Sequence, residues 1–304
     1  MNLFRRTMAA LAWCAVVSQC SGALASSLCD THDFSGDEKF LIKRPLAVKL
    51  PDAKPEVIGG TVADVTVWPA TMIFCPISGE FCTSTAVGPR VVLTAAHCLD
   101  HVREPGKPTV KGALKIDNKP KFDVKCTIDP DYQPFDYAAY EANGNVMKVE
   151  WSADLAVCLV ESDIQVVKYE RLMPFATRLK RDDQITLLGL GCTEPGGGGT
   201  TETLYAGPAP VKESIAGTFF IHTQRDPNSI RKEAALCKGD SGGAGYKSFH
   251  GVRSIVAIAS LSDNLRDSWL TNTTLSNVLD FVRAQTGEND FPVCGLHPIA
   301  AKCQ

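Results

Sequence analysis

The stretch CKGDSGGAG, Cys237 to Gly245, holds a serine between an aspartate and two glycines. Taken alone it has two readings. Gly, Asp and Ser are turn formers, and the glycines suit a backbone that needs positive φ. The same string can instead present Ser241 as a nucleophile, a hypothesis that depends on its context. A serine hydroxyl is a weak nucleophile near neutral pH. It needs a base at hydrogen-bond distance, and the base needs an acceptor to fix its tautomer.

The chain supplies candidates for both. LTAAHC, residues 93–98, sets His97 after an apolar run and before Cys98. SADLAVCLV, residues 152–160, sets Asp154 at the head of another. Each has a bland reading: a histidine beside a buried strand is usually a hydrogen-bonded structural residue, and an aspartate before an apolar run is usually a turn or cap. Taken together, with Ser241 third in order, they describe a nucleophile, a base and an orienting carboxylate.

The surroundings are those of an all-β domain. The 304 residues are 44% hydrophobic and 21% charged, a globular composition. Short apolar runs alternate with turn signals: ATMIFC (70–75), RVVLTA (90–95), QITLLGL (184–190), GTFFIHT (217–223) and RSIVAIAS (253–260). Leu275, Val278, Leu279 and Val282 fall at helical spacing, with Thr273 or Thr274 as the cap, so one amphipathic helix is expected near the end. Residues 26–56 read as polar and loop-like, because Pro45, Pro51 and Pro55 oppose regular structure. EPGGGGTTET, residues 194–203, reads as a loop; no lysine and no helix start follow it, which removes a phosphate-binding reading. A net charge of −3 gives no basic footprint for nucleic acid.

The N-terminus carries Arg5 and Arg6, an apolar run from Met8 to Ser18, and Ala23-Leu24-Ala25. This is the pattern of a secretory signal peptide over residues 1–25. The apolar run is shorter than a membrane span needs, and Gln19 is a poor neighbour for lipid attachment at Cys20. Secretion, to the extracellular or periplasmic space, is therefore expected, with no membrane partner. Ten of the twelve cysteines lie beyond residue 25, and an even count in an exported chain reads as disulfides whose connectivity stays open. No Cys-x-x-Cys suggests a metal, so neither metal nor cofactor is expected.

These motifs resemble those of the trypsin/chymotrypsin family of serine proteases. TAAHC, ADLAVCLV and CKGDSGG look like its three catalytic motifs, and VIGGTVADVTVWPA, Val57 to Ala70, resembles its mature N-terminus. The resemblance covers residues 57–286 and implies two six-stranded antiparallel β-barrels and a C-terminal helix, with the site in the cleft between the barrels. It implies that Ser241 is the nucleophile, His97 the base and Asp154 its orienter, with the amides of Gly239 and Ser241 as the oxyanion hole. It further implies a propeptide, residues 26–56, cut so that the new amine of Val57 pairs with Asp240. Glu56 precedes that cut where Lys or Arg is common, so an acid-specific or broad protease, the enzyme itself, or another cut point is expected.

By the same resemblance the specificity pocket has Ala235 at its base, Ser260, Leu261 and Ser262 on one wall, Leu270 on the other, and Lys238 at the rim. No carboxylate stands there, so polypeptide cleavage after small or medium uncharged residues is expected. A preference for acidic residues drawn by Lys238 is the lesser alternative. Cys82 and Cys98, 16 residues apart, have the spacing of the family's disulfide beside the histidine. Cys192–Cys237 is the preferred pairing at the site. Cys126–Cys158 is expected across neighbouring strands and Cys294–Cys303 within a tail, residues 287–304. Cys29 and Cys75 are left over. A catalytically inactive homologue acting as a binding protein is the competing class, but such proteins typically lose a triad residue.

Overall fold

The computed structural model describes residues 29, 34, 38–45, 57–77, 81–116, 121–135, 152–177, 179–197, 203–214, 219–287, 290–298 and 302–303. The expected signal peptide lies outside the described residues. The first half holds β1 (Phe40–Lys43), β2 (Thr61–Val62), β3 (Thr71–Pro76), β4 (Cys82–Gly88), β5 (Val91–Thr94), the helical turn α1 (His97–Asp100), β6 (Thr109–Leu114), β7 (Phe122–Ile128) and β8 (Ala156–Val160). The second half holds β9 (Gln184–Gly189), β10 (Tyr205–Ser214), β11 (Phe220–Gln224), β12 (Ala244–Phe249), β13 (Val252–Ser262), β14 (Asp267–Asn272) and helix α2 (Ser276–Thr286).

These strands make two closed barrels. The first runs β1-β3-β4-β5-β8-β7-β6. The second is the ring formed by β9 to β14, closed by the β10–β11 pairing, with β2 added beside β10. Closure pairs every strand of the two rings on both sides and removes the exposed edges that an open sheet would carry. The strands alternate their side chains between faces. Phe40, Ile42, Met72, Phe74 and Leu114 share one cluster in the first half, while Ile185, Leu187, Tyr205, Val211 and Leu270 share another in the second. A third cluster, containing Leu93, Val157, Leu188, Tyr246 and Val278, joins residues of both barrels and α2.

Two features differ from the expectation. The first barrel has seven strands, and the extra one comes from the segment read as loop. Phe40-Leu41-Ile42 is fully buried; β1 runs antiparallel to β3 and parallel to β6, standing between them. The prolines that argued against structure lie at its end and beyond, so they stop the strand without preventing it. The second difference is at α2. Leu275, and neither threonine, is the N-cap, and it makes no side-chain cap bond. The hydroxyl of Thr274 donates instead to the carbonyl of Thr177 at 2.7 Å.

Five disulfides join Cys29–Cys75, Cys82–Cys98, Cys126–Cys158, Cys192–Cys237 and Cys294–Cys303. The last ties the tail down where Cys294 donates its amide to the Val87 carbonyl at 2.7 Å. Asn272, in the sequon Asn-Thr-Thr, is 3% exposed and its side chain accepts bonds from Thr274, which leaves a glycan no room there. Among the described residues no helix is long and apolar enough to cross a membrane.

Candidate active site

His97 opens α1, immediately after β5. Asp154 stands two residues before β8, which pairs with β5. That pairing brings the two side chains together. The amide of His97 donates to Asp154 Oδ1 at 2.9 Å, and His97 Nδ1 meets Oδ2 at 2.7 Å. The carboxylate is 4% exposed and the imidazole 32%. Burial alone would raise the Asp154 carboxyl. The charge and hydrogen bonds of His97, with a bond from Ser260, outweigh it and hold that carboxyl below its usual value. Nδ1 is therefore the nitrogen engaged with the carboxylate.

Ser241 sits on the turn between the Cys192–Cys237 disulfide and β12. Its amide neighbour Gly239 has φ 96°, which a side chain rarely adopts, and a Cβ there would stand 2.6 Å from the Phe81 ring. Thr83, on β4, holds this turn from the other barrel: its amide donates to the Ser241 carbonyl at 2.7 Å and its hydroxyl to the Gly239 carbonyl at 2.8 Å. Cys98, next to His97, lies 3.9 Å from the same Ser241 carbonyl through its sulfur. Ser260 links the pieces further. Its hydroxyl donates to Asp154 Oδ2 at 2.5 Å, and its carbonyl lies 3.4 Å from Ser241 Oγ. Elements of both barrels thus meet at one place, and a histidine, a buried carboxylate and a serine are gathered there.

A family model described as trypsin matches residues 57–278. The chain belongs to the trypsin family. The match begins at Val57, so the trypsin model leaves out β1, which the fold nevertheless includes. The trypsin-family domain and the five disulfides point to an extracellular protein.

The remaining predicted site residues fall as follows. Asp240 is fully buried, and its carboxylate accepts amides from Gly191 at 2.7 Å and Cys237 at 2.8 Å. Val57 is buried in the second-barrel core, and Ile58 pairs with Ala235. Ser262 donates to the Leu236 carbonyl at 2.5 Å, while the Leu236 amide donates to Ser268 at 2.9 Å. Lys238 is exposed. Two assignments change. Leu270 pairs with Ala259 and points into the core; Ser268, two residues earlier, is the residue opposite Ser262. A register shift between Ala259 and Leu261 moves the pairing by one residue, and a one-residue slip turns side chains to the other face. Ser260 gives its hydroxyl to Asp154, so its side chain supports the carboxylate and does not line a wall.

Sequence reasoning missed Thr83 and Thr271. The second donates its hydroxyl to the Asp154 carbonyl at 3.1 Å. Neither has a spacing signal, because each reaches the site across the fold. Cys82, His97 and Cys98 have ligand atoms close enough for a metal. The two cysteines are joined to each other, so neither offers a thiolate.

Proposed function

We propose that this trypsin-family chain is a secreted serine endopeptidase, made as a zymogen, that hydrolyses peptide bonds through an acyl-enzyme. The buried Asp154 carboxylate clasping His97 by two hydrogen bonds, beside Ser241, carries the reading. Ser241 Oγ attacks the substrate carbonyl carbon as His97 Nε2 takes its proton. Asp154 accepts the Nδ1–H bond and stabilises the imidazolium. The amides of Gly239 and Ser241 receive the developing oxyanion, and His97 returns the proton to the leaving amine. Water activated by His97 then cleaves the ester.

Zymogen control is supported by the state of Asp240 and Val57. Burial pushes the Asp240 carboxyl up to about 7, against the two amide bonds that favour its charge. An ammonium arriving at Val57 supplies the missing counter-charge. Val57 itself has φ 54°, a conformation unfavourable for a β-branched residue. A cut before it removes that constraint.

A linkage test follows for the uncut chain. Asp240 binds its proton more tightly folded than unfolded between its ordinary value and about 7. Stability from that proton is complete at pH 4 and lost as the pH rises to about 7, by up to about 4 kcal/mol. Urea unfolding of uncut Ser241→Ala should show this fall, and Ser241→Ala/Asp240→Asn a smaller one, because burial also raises Asp129, to about 6, in both. Equal slopes in the two would remove Asp240 from the account.

Specificity follows from the pocket. Ala235 at its base is buried and uncharged, and Ser262, Leu236 and Ser268 close across it. An unpaired cation placed there has no counter-charge and is strongly disfavoured. Cleavage after Ala, Val or Leu is expected. The processed protein, tested for fluorophosphonate labelling at Ser241 and then against a peptide library read by mass spectrometry, decides the matter. Absence of labelling would leave the binding-protein reading, dominant cleavage after Lys or Arg would overturn the pocket argument, and dominant cleavage after Glu would assign the preference to Lys238.

A further inference from the structure

The Cys192–Cys237 disulfide stands two residues before Gly239, inside the turn assigned to oxyanion binding. It is one of four links between the same two segments. Cys192 donates its amide to the Lys238 carbonyl at 2.8 Å. The Asp240 carboxylate bridges the amides of Gly191 and Cys237. The Leu190 amide donates to Thr83 Oγ1 at 3.3 Å, and that hydroxyl in turn donates to the Gly239 carbonyl. Cys192 therefore holds the carbonyl of the 238–239 peptide, and Thr83, which accepts the Leu190 amide, holds the Gly239 carbonyl that follows; together they set the direction of the Gly239 amide. The approach is close. A Cβ on Gly191 would lie 2.6 Å from Asp240 Oδ1 and 2.7 Å from the Lys238 carbonyl.

Among these links only the carboxylate bonds depend on the charge of Asp240, and only the disulfide is covalent. The two carboxylate bonds weaken when that group, with its value near 7, gains a proton. The covalent bond does not respond to pH.

We propose that the Cys192–Cys237 disulfide is a positioning element for catalysis: by fixing residues 190–192 against residues 237–240, it aims the Gly239 and Ser241 amides at the oxyanion. The inference rests on the serine-protease reading. It predicts an effect on the transition state and little on ground-state binding, because a misdirected oxyanion donor costs kcat without removing substrate contacts.

The test compares processed wild type with Cys192→Ala/Cys237→Ala, using Cys294→Ala/Cys303→Ala as a control that loses a disulfide far from the turn. Each is assayed on one peptide substrate and titrated with a peptide aldehyde, which forms a tetrahedral adduct at Ser241. In the first variant kcat should fall about 10²–10³-fold, the size reported by loss of one oxyanion donor. Aldehyde affinity should fall in parallel and KM should stay within a few-fold. In the control Tm should fall while kcat holds. Should the first variant fail to accumulate, Gly191→Ala wedges the same segments apart and should give the same split between kcat and KM. Unchanged kcat in a folded Cys192→Ala/Cys237→Ala, or in Gly191→Ala, overturns the proposal. An inactive, unlabelled wild type overturns the serine-protease reading, and the proposal with it.

Discussion

Replacing Ser241 with Ala should lower kcat by about 10⁴–10⁶ and leave the folded protein as stable as before. The asymmetry comes from what the hydroxyl does. Its hydrogen-bond contact in the resting structure is with the Ser260 carbonyl at 3.4 Å, longer than an ordinary O–H···O bond. Ser241 is only half-buried, so removing the oxygen leaves no enclosed cavity. The turn is held by its backbone, through the bond from the Thr83 amide, and alanine keeps that bond. Tm should therefore move by no more than a degree or two, as for an ordinary surface change. In the proposed reaction the same oxygen is the attacking atom, and nothing else in the turn can replace it. His97→Ala should cost nearly as much, and the double variant little more than either, since the groups act as a unit. Kinetics on a chromogenic peptide, fluorophosphonate labelling and thermal unfolding of the three variants check this. Additive losses, or more than about 1% residual activity in Ser241→Ala, would place the nucleophile elsewhere.

The candidate site is legible in the sequence where its residues are local. His97, Asp154 and Ser241 each sit in a short stretch whose neighbours fix the backbone, and barrel closure brings the stretches together. Residues that act across the fold left no such mark. Thr83 is one threonine in a strand rich in small residues, and only the meeting of β4 with the turn makes it a clamp. The resemblance sets Ser260 beside the substrate, but alternation along β13 does not carry through an irregular register, so the bond from its hydroxyl to Asp154 leaves no mark in the sequence. The same irregularity displaced Leu270. β1 escaped for another reason. Four residues between Glu38-Lys39 and Arg44-Pro45 are too short to show a period, and their partners lie in strands separated from them in sequence.

That short strand carries the largest expected effect on stability. A chain beginning at Val57 contains the whole segment matched by the family model, yet it should not fold. Phe40, Leu41 and Ile42 are each 0% exposed. At about 1.5–3 kcal/mol for each buried apolar side chain, their loss removes roughly 5–9 kcal/mol, which is comparable with the whole stability of a typical domain. Phe40 stacks on Phe74 with ring centroids 4.8 Å apart. It also fills space against Gly112, where a Cβ would lie 2.5 Å from its ring, so deletion leaves a cavity on the barrel wall. The edges of β3 and β6 would lose their partner, leaving backbone groups unpaired in a nearly closed barrel. The Cys29–Cys75 disulfide, spanning 46 residues, adds about 3–4 kcal/mol by restricting the unfolded chain. A cut before Val57 opens that loop but leaves the packing of β1 and the disulfide, which becomes the covalent link between the two pieces. The processed protein should run as one species on a denaturing gel without reductant and as two with it. In Cys29→Ala/Cys75→Ala, the light chain should stay bound through gel filtration, held by β1, and separate only on unfolding. Secretion of a chain starting at Val57, with wild-type Tm and activity, would show that the seventh strand is dispensable.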